Sequence, residues 1–512
     1  MINILTLLMA LGSPIGDSQD VRAPVVTVEP RHATTTIGNR SPSWSSYAGN
    51  AQHTAQSRVA SDPLNRIHWQ TPVDLAPQYS VTGELFIHYG SPLVTAGNTV
   101  IVPVKTGQTG GFRVEARAGA DGALKWSLAT DYVLPPHAWI PVFGPVLTGS
   151  SLYLPGAGGT VYFRDQPDAS TGVQGQVAFY GLANYQANRS AYDANVMINT
   201  PLTSDAAGNV YFGFFVAGDT PLALTSGIAR LSADGAATRT SVATAAADAS
   251  MTQVVLNCAP ALSLDGKTLY VAVSDGIVGY LVALDSTTLS PLARVRLTDP
   301  KTGSDSWLNN NGSASPTVGP DGDVYFGVLE NPFAENNGRG WLLHFDASLS
   351  VSKPPGAFGW DDTAGVVPAS VVPSYGGSSP YLLASKYNNY VDWGGDGRNR
   401  IAVLDPNGTQ TDPVTGVAVM SEVLTVLGKT PEGAPPRVME WCINSAAVDP
   451  KTGSVLANSE DGKLYRWDLS SNTLSETVVL TPGLGEAYTP TVIGVDGTVY
   501  AINNATLFAV GK

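Results

Sequence analysis

The chain contains 512 residues, of which 14% are charged, and its formal net charge is −14. An acidic chain without a basic run does not offer the clustered Lys and Arg that phosphate binding requires, so no nucleic-acid partner is expected. With 54 Gly, 36 Pro and many short Val-, Tyr- and Thr-rich runs, the composition predicts an all-β protein with short strands joined by turns. The two cysteines, Cys258 and Cys442, exclude a disulfide-rich scaffold and every CxxC metal or haem motif.

The first 42 residues divide into two segments. Residues 1–16, MINILTLLMALGSPIG, are a short apolar run followed by small residues, as in a signal peptide, but they lack the usual basic start. We therefore expect a periplasmic or secreted protein. Residues 17–42 mix Thr, Ser, Pro and Arg without a period and are predicted to be a disordered linker. No stretch reaches the roughly 18 apolar residues of a spanning helix, so no membrane span is expected.

A single strand and then a repeated unit follow the linker. The strand is NRIHWQTPV (Asn65–Val73). The repeated pattern is a small residue and Pro, apolar residues, a Gly-containing turn, and an apolar-aromatic run, as in SASPTVGPDGDVYFG. It begins at eight places: Tyr89, Phe143, Asn199, Cys258, Ser313, Val366, Cys442 and Tyr488. Their spacing of mostly about 45 to 60 residues, with one unit near 76, is typical of propeller blades.

Each repeat predicts four antiparallel strands, which is the meander of a propeller blade. The third strand has sequences such as GYLVALD or GWLLHFD, and a weaker fourth strand follows. The last unit ends after three strands at TLFAVGK. We predict that Asn65–Val73 supplies its fourth strand by pairing with Ala505–Gly511, because this closes the ring and covers two sheet edges. The sequence thus predicts one eight-bladed β-propeller domain over residues 43–512.

Two motifs resemble the PQQ-like propeller superfamily. They are SWSSYAGNAQHTAQS (Ser43–Ser57), before the first strand, and units of the type DGALKW (Asp121–Trp126). The resemblance extends over nearly the whole chain from Ser43, and it implies an eight-bladed propeller. The superfamily includes quinoprotein alcohol dehydrogenases and also non-enzymatic outer-membrane assembly scaffolds. Because the motifs are blade-packing residues, they identify a fold and leave the activity open.

Blade geometry predicts where a site would lie. The loop that enters the innermost strand and the loop between the second and third strands share one face, and both converge on the central channel. This face gathers ionisable and aromatic residues, whereas the opposite turns are mostly plain PDG and LDG hairpins. Such a convergence is typical of a ligand site, although any loop face is polar because it is solvated. The loops also contain Tyr89, Asn257, Cys442 and Glu460.

The residue types at these loops suggest three roles. Carboxylates and amides suit a calcium site, because Ca²⁺ prefers hard oxygen ligands. Tryptophans offer a stacking surface for a flat cofactor, and lysines offer the cation that its carboxylates need. The catalytic candidates, which would move a proton or neutralise an anionic substrate, are His88, His137, Asp361, Arg437 and Glu440. The metal candidates are Asn309, Asp361, Asp362 and Glu440, and the cofactor-binding candidates are Lys105, Trp139, Lys386 and Trp441.

The resemblance implies PQQ and Ca²⁺ as cofactors, and alcohols or sugars as substrates of an oxidoreductase. Quinoprotein dehydrogenases carry an adjacent Cys–Cys pair over the cofactor, and this chain has no such pair. Two alternatives therefore stay open. One is a non-catalytic scaffold that binds a protein partner at the channel mouth. The other is a lyase or hydrolase for a carboxylate-bearing polymer, in which His88 or Tyr89 moves the proton while Arg437 or Lys105 neutralises the substrate carboxylate.

Overall fold

The computed structural model describes residues 44–79, 85, 89–108, 110–135, 143–308, 314–483 and 489–512. The predicted signal peptide and linker lie outside these residues. The described chain forms eight four-stranded antiparallel blades arranged in a ring, as predicted from the repeats. No helix among the described residues has the length and apolar character needed to cross a membrane.

Blades 1 to 7 are each built from consecutive strands, beginning with the innermost. In the third and fourth blades the innermost strand is split into two segments that pair with the same neighbour. Blade 1 comprises β2 (Leu93–Val94), β3 (Thr99–Lys105), β4 (Phe112–Ala118) and β5 (Leu124–Thr130). Blade 2 comprises β6 (Val146–Leu147), β7 (Ser151–Pro155), β8 (Thr160–Asp165) and β9 (Gln174–Ala178). Blade 3 comprises β10 (Val196–Ile198), β11 (Thr203–Ser204), β12 (Val210–Val216), β13 (Gly227–Leu231) and β14 (Ala237–Ser241). Blade 4 comprises β15 (Gln253–Val254), β16 (Ala261–Leu262), β17 (Thr268–Ser274), β18 (Gly279–Asp285) and β19 (Pro291–Arg296).

The second half of the ring repeats this order. Blade 5 comprises β20 (Thr317–Val318), β21 (Val324–Val328), β22 (Trp341–Phe345) and β23 (Ser352–Gly356). Blade 6 comprises β24 (Gly365–Pro368), β25 (Tyr381–Tyr387), β26 (Arg400–Thr411) and β27 (Ala418–Leu427). Blade 7 comprises β28 (Ala447–Asp449), β29 (Ser454–Asn458), β30 (Lys463–Asp468) and β31 (Thr473–Val479). Blade 8 comprises β32 (Val492–Ile493), β33 (Val499–Asn503), β34 (Thr506–Gly511) and β1 (Arg66–Pro72). The described α-helices lie in connections and are α1 (Leu182–Ala187), α2 (Arg189–Asn195) and α3 (Val242–Ala246).

The ring closes as predicted, by pairing of the two ends of the domain. Strand β1 runs antiparallel to β34, from Arg66 opposite Gly511 to Pro72 opposite Thr506. The predicted bounds, Asn65–Val73 and Ala505–Gly511, each differ from the observed ones by a single residue at one or both ends. Because β34 would otherwise present an unpaired edge, this pairing completes blade 8.

Burial follows the position of each strand within its blade. Every residue of β3 is buried, because neighbouring blades cover both faces of the inner strands. The outer strand β5 instead alternates, with Trp126 and Leu128 buried between more exposed neighbours. This alternation is the period of two expected for a strand with one covered face, and it explains why the outer strands gave the weaker sequence signal.

The segment Trp44–Ser57 lines the channel and contacts the inner strands of most blades. Trp44 exchanges backbone hydrogen bonds with Val94 of β2, and Ser57 N donates to Val448 O of β28. Between them, further hydrogen bonds reach the inner strands of blades 2, 4, 5 and 6: Leu147 N to Ser45 O, Leu262 N to Ala51 O, Val318 N to Gln52 O and Val366 N to Thr54 O. These contacts fall near the ends of the inner strands that lead into the hairpin turns. The segment therefore fills the channel on the hairpin side and leaves the opposite side for a site.

Candidate functional site

The two sets of loops identified from the sequence do meet on one face, here called the entry face. Cys442 precedes the innermost strand of blade 7, and Glu460 lies between its second and third strands, yet Cys442 Sγ donates to Glu460 Oε2 over 3.3 Å. In blade 6, Lys386 near the end of the second strand donates to a carboxylate oxygen of Asp361 in the entry loop. Residues far apart in sequence are therefore brought together where the blade geometry predicted.

A small cavity lies on the channel axis at this face. Its volume is about 20 Å³, measured as the space open to the centre of a water molecule, and its lining residues are Tyr47, Tyr89, Gly90, Ser91, Gly144, Pro145, Pro201, Asn257, Asn444 and Pro490. About 10 to 15 Å³ on this measure accommodates one water. The cavity alone is therefore too small for a multi-ring cofactor.

Tyr47 connects the cavity to the carboxylates of blade 6. Its hydroxyl donates to Asn444 Oδ1 and also hydrogen-bonds with Thr363 Oγ1 at 2.7 Å. Asn444 Nδ2 in turn donates to Asp361 O over 3.4 Å. The channel-lining segment thus supports the backbone that presents Asp361.

A buried ion pair forms the centre of the polar cluster. Asp361 and Lys386 are 5% and 0% exposed, and they contact each other directly. Burial alone would lower the pKa of Lys386, but the charges of Asp361, Cys442 and Asp362 and the hydrogen bond to Asp361 raise it above its usual value. Lys386 therefore stays protonated, and its ammonium also lies 5.5 Å from the ring centre of Phe358. Asp361 has a left-handed backbone (φ 51°), which Asp adopts more readily than most residues.

The neighbouring carboxyl groups behave differently from Asp361. Burial raises the pKa of Asp362 to about 7, against the opposing charge of Lys386 and hydrogen bonds from Ser385 Oγ and Lys386 N at 2.8 and 3.1 Å. Burial also raises the pKa of Glu440 to about 7, with Lys386 opposing the shift and Asp361 reinforcing it. Burial thus shifts the pKa of both carboxyl groups, beside one buried lysine, upward toward neutral pH.

Glu440, Cys442 and Glu460 form a compact group of metal-ligand types. One ligand atom from each residue lies within 4.8 Å of the others, with Cys442 buried and both glutamates partly buried. Burial raises the pKa of the nearby Tyr390 well above its usual value, and the charges of Glu440 and Asp361 add to the shift. The structure therefore brings Asp361, Asp362, Lys386 and Glu440 into one cluster between blades 6 and 7.

Two other candidates precede the innermost strand of blade 7. Trp441 is 1% exposed and packs edge-on against Tyr465 at 5.4 Å, while its backbone hydrogen-bonds with Asn388. This places the indole in the core between blades 6 and 7. Arg437 is partly buried, and its side chain lies against Gly397 and Gly433.

Lys105 belongs to a separate cluster in blade 1. Its ammonium lies 3.2 Å from Asp74 Oδ2, and the Tyr89 hydroxyl donates to the same oxygen at 2.9 Å. Asp74 follows β1, so this buried pair also ties blade 8 to blade 1. Among the described residues, Lys105 pairs with Asp74 and Lys386 pairs with Asp361, so the two lysines belong to different clusters. The remaining candidates, His88, His137, Trp139 and Asn309, lie outside the described residues, and their roles stay predictions.

Sequence reasoning missed three residues that shape these clusters. Tyr390 and Phe358 flank the Lys386 pair, and Asp74 neutralises Lys105. Asp74 could have been found, because it directly follows the ring-closing strand and so must lie beside blade 1. Phe358 and Tyr390 lie in loops whose paths depend on tertiary contacts, and no spacing rule marks them.

The fold is similar to that of two solved dehydrogenases. A structure described as europium-containing methanol dehydrogenase matches with a TM-score of 0.54 and 10% identity, over 89% of this chain and 89% of that chain. Quinohemoprotein alcohol dehydrogenase from Comamonas testosteroni matches with a TM-score of 0.53 and 12% identity, over 92% of this chain and 81% of that chain. This chain shares the propeller fold of these two enzymes. No protein-family model and no curated protein sequence matches it.

This propeller departs at its cysteines from the quinoprotein dehydrogenase pattern expected from the sequence. Cys258 and Cys442 precede the innermost strands of blades 4 and 7 and are not bonded to each other. The pair that covers the cofactor in quinoprotein dehydrogenases thus has no counterpart here. The identities of 10% and 12% establish the fold only, so any activity has to be argued from the cluster around Lys386.

Proposed function

We propose that this quinoprotein-like propeller is an oxidoreductase that oxidises the hydroxyl group of an alcohol or a sugar at the entry face of blades 6 and 7. The observation that carries the proposal is the buried Asp361–Lys386 pair, flanked by Asp362 and Glu440. Removal of the substrate proton requires an ionised base, and an anionic quinone requires a fixed cation. In this cluster Asp361 can supply the base and Lys386 the cation, and both side chains are buried from water.

The residues of this cluster are of the chemical types that would bind PQQ and a cation. Lys386 is a protonated, buried donor for the carboxylates or carbonyl oxygens of the cofactor, and Glu440 with Asp362 offers oxygen ligands for a cation. PQQ, when bound, supplies the two-electron oxidant. The axial cavity holds about one water and Lys386 is itself 0% exposed, so binding of the cofactor against Lys386 would require the entry loops that cover it to move apart.

Asp361 is the proposed catalytic base. Its ion pair with Lys386 favours the ionised carboxylate, which can then accept the proton of the substrate hydroxyl. Asn444 and Tyr47 position it through the hydrogen bond to its carbonyl and the contacts behind that bond. Burial excludes water and strengthens the electrostatic effect of Lys386 on developing negative charge.

A dye-linked assay tests this function. The purified protein is supplied with PQQ and a divalent cation, and reduction of an artificial electron acceptor is followed with a panel of alcohols and sugars. We expect activity in the wild type and a loss of at least about 100-fold in Asp361→Asn, the scale on which general bases act. A matched change on the opposite face, Asp265→Asn in the turn after β16, should leave activity unchanged. Absence of dye reduction with every substrate would refute the oxidoreductase and favour the scaffold.

We also propose that the protein is exported. The apolar run and the small residues of the first 16 positions support this. The mass of the mature N-terminus of the expressed full-length chain tests it, because cleavage near residue 16 is expected. An intact N-terminus in the cytoplasmic fraction would contradict export.

A further inference from the structure

We infer that a group of partly exposed aromatic rings on the entry face binds the sugar rings of an oligosaccharide. The group, here called the aromatic platform, comprises Trp307, Phe333, Trp360 and Trp393. Trp307 and Trp360 lie in the loops that enter the innermost strands of blades 5 and 6. Phe333 and Trp393 lie between the second and third strands of the same two blades. The inference rests on the proposed function in one respect: the bound saccharide is taken as the substrate oxidised beside Asp361, which directly follows Trp360.

The exposure of the tryptophans distinguishes this face from the rest of the ring. Among the tryptophans that the structure describes, those that are partly exposed are Trp307, Trp360 and Trp393. The buried ones are Trp44, Trp69, Trp126, Trp341, Trp441 and Trp467. A large ring that stays partly exposed gives up some of the favourable free energy of burial. Because the partly exposed rings collect on the loops of two neighbouring blades, they are typical of a binding surface.

Three of the rings form a row. The ring centre of Phe333 lies 6.4 Å from that of Trp307, with the ring planes 4° apart. It also lies 4.4 Å from the ring centre of Trp393, with the planes at 76°. A quaternary ammonium ion is bound where rings surround it. Here Phe333 packs directly against Trp393, so the two rings form one continuous apolar surface and not the opposite walls of a cage.

Further aromatic contacts connect this row to the proposed oxidation site. Gly338, with φ 72°, lies against two rings: an added Cβ would come within 3.0 Å of Trp393 Cδ1 and 3.4 Å of Tyr390 Cδ2. The ring centres of Tyr390 and Phe358 are 6.3 Å apart, and the Lys386 ammonium lies 5.5 Å from the ring centre of Phe358. A ligand held on the platform is therefore held beside the cluster around Lys386.

Buried polar groups fix the loop between the second and third strands of blade 5. Glu330 is 0% exposed, and its carboxylate accepts a 2.6 Å hydrogen bond from Gly338 N. Arg339 forms a buried ion pair with Asp412 of blade 6 at 2.8 Å. The carbonyl oxygen of Arg339 also accepts a hydrogen bond from Trp360 N at 3.1 Å. The rings are thus held in place before a ligand arrives, which lowers the entropic cost of binding.

The polar side chains of these loops favour a sugar. Asn337 Nδ2 donates to Asn389 Oδ1 at 2.9 Å, and Asn389 Nδ2 donates to Asp396 Oδ1 at 2.8 Å. Asp396 is exposed, as is Asp392 beside Trp393. A pyranose has apolar C–H faces and hydroxyl edges, which match aromatic faces beside planar amides and carboxylates. Nucleobases stack on such rings too, but their phosphates need a basic groove, and the net charge here is −14.

Calorimetric titration of the full-length protein, without PQQ or a cation, tests the platform. The probes are cellotetraose, maltotetraose and mannotetraose. We expect binding of at least one of them, with a change in tryptophan fluorescence because the stacking rings are partly exposed. Trp393→Ala should weaken that binding about 10-fold through the loss of one stacked ring. Trp393→Phe should keep most of the affinity, and melting temperatures check that each variant is folded.

A matched pair of variants controls for the loss of an aromatic ring. Phe333→Ala should weaken binding, whereas Phe215→Ala removes a partly exposed phenylalanine of β12 in blade 3 and should bind like the wild type. Absence of binding of every tetrasaccharide would overturn the inference. Equal affinities of Phe333→Ala and Phe215→Ala would overturn it as well. If Trp393→Ala converted a dimer into a monomer on size-exclusion chromatography, the platform would be an interface between copies, and the inference would be wrong.

Measuring binding without turnover separates this inference from the proposed function. In active enzyme, Trp393→Ala should raise the KM for the bound tetrasaccharide about 10-fold. Dye reduction with simple alcohols by a protein that binds no tetrasaccharide would overturn the platform and leave the oxidoreductase intact. Tetrasaccharide binding that depends on Trp393, without dye reduction on any substrate, would support the saccharide surface and refute the oxidoreductase.

Discussion

Trp69 Nε1 donates a 2.8 Å hydrogen bond to the carbonyl oxygen of Gly119, which joins the outer strand of blade 8 to a turn of blade 1. Trp126 makes the same bond from blade 1 to Pro167 of blade 2, at 2.9 Å. The ring-closing strand therefore uses the same interblade contact as an ordinary blade. The shared contact explains why the DGALKW motif ends in Trp.

Trp69→Phe should lower the free energy of unfolding by about 1 kcal/mol, because it removes this hydrogen bond while keeping most of the ring contacts with Tyr500. Trp69→Ala should cost about 3–5 kcal/mol through the cavity it leaves. Denaturant unfolding measures both. Trp126→Phe is the matched control and should lose a similar amount; unchanged stability in Trp69→Phe alone would show that the closure does not depend on this bond.

Deleting residues 1–74 should lower the melting temperature sharply. The truncation removes β1, exposing the edge of β34, and also removes the segment Trp44–Ser57 from the channel. Differential scanning calorimetry compares it with deletion of residues 1–42 alone, which should melt like the full chain. A 1–74 truncation that melts at the full-length temperature would contradict the closure.

The His53 side chain should make stability depend on pH. Burial lowers the pKa of His53 from 6.5 to about 4, while its Nδ1 stays 2.7 Å from Pro316 O. Between these values the unfolded chain binds a proton that the folded chain does not bind. The stabilisation is therefore complete above pH 6.5 and is lost as the pH falls toward 4, by roughly 3 kcal/mol in total.

His53→Asn tests this, because Asn tolerates the left-handed backbone at this position (φ 58°). Unfolding free energies measured from pH 7 to pH 4.5 should fall less steeply in the variant, with about one proton fewer taken up on unfolding. His344 has a lowered pKa from burial and acts in the same direction, so some slope should remain. A variant with the wild-type slope would show that His53 is not the titrating group.

The Asp361–Lys386 pair should show strong coupling in a double-mutant cycle. Lys386→Met leaves Asp361 buried without its partner and should cost about 3–5 kcal/mol. Asp361→Asn and the double variant complete the cycle, and the double variant should be more stable than Lys386→Met alone. Additive losses would mean that the two side chains do not stabilise each other in solution.

The fold could be predicted because the same sequence pattern of turn residues and apolar runs recurs in every blade. Turn glycines such as Gly322 and Gly497 adopt positive φ in the hairpins, and buried runs of apolar and aromatic residues mark the inner strands. The short helices α1, α2 and α3 were not predicted. They contain five to seven residues and occupy blade connections, where local propensity is too weak to reveal them.

The site was predictable only in part. Loop position predicted that Asp361, Asp362, Lys386 and Glu440 lie on one face, because blade topology fixes which loops share a face. It could not separate Lys105 from Lys386, since both stand at the ends of second strands but in blades 1 and 6. Loop position also could not show that Trp441 packs in the core. The aromatic side chain it packs against, Tyr465, lies on β30, the third strand of blade 7. Such contacts depend on side-chain packing, which spacing alone does not encode.

The most direct measurement is the thermal stabilisation of the protein by PQQ and a divalent cation. A ligand that binds the native state alone raises the melting temperature, and the rise grows with the ratio of ligand concentration to Kd. The wild type and the opposite-face variant Asp265→Asn should show the same rise, and Lys386→Gln should lose it, because the cofactor would lose its buried cation. No rise in the wild type, or an equal rise in Lys386→Gln, would contradict a cofactor site at Lys386.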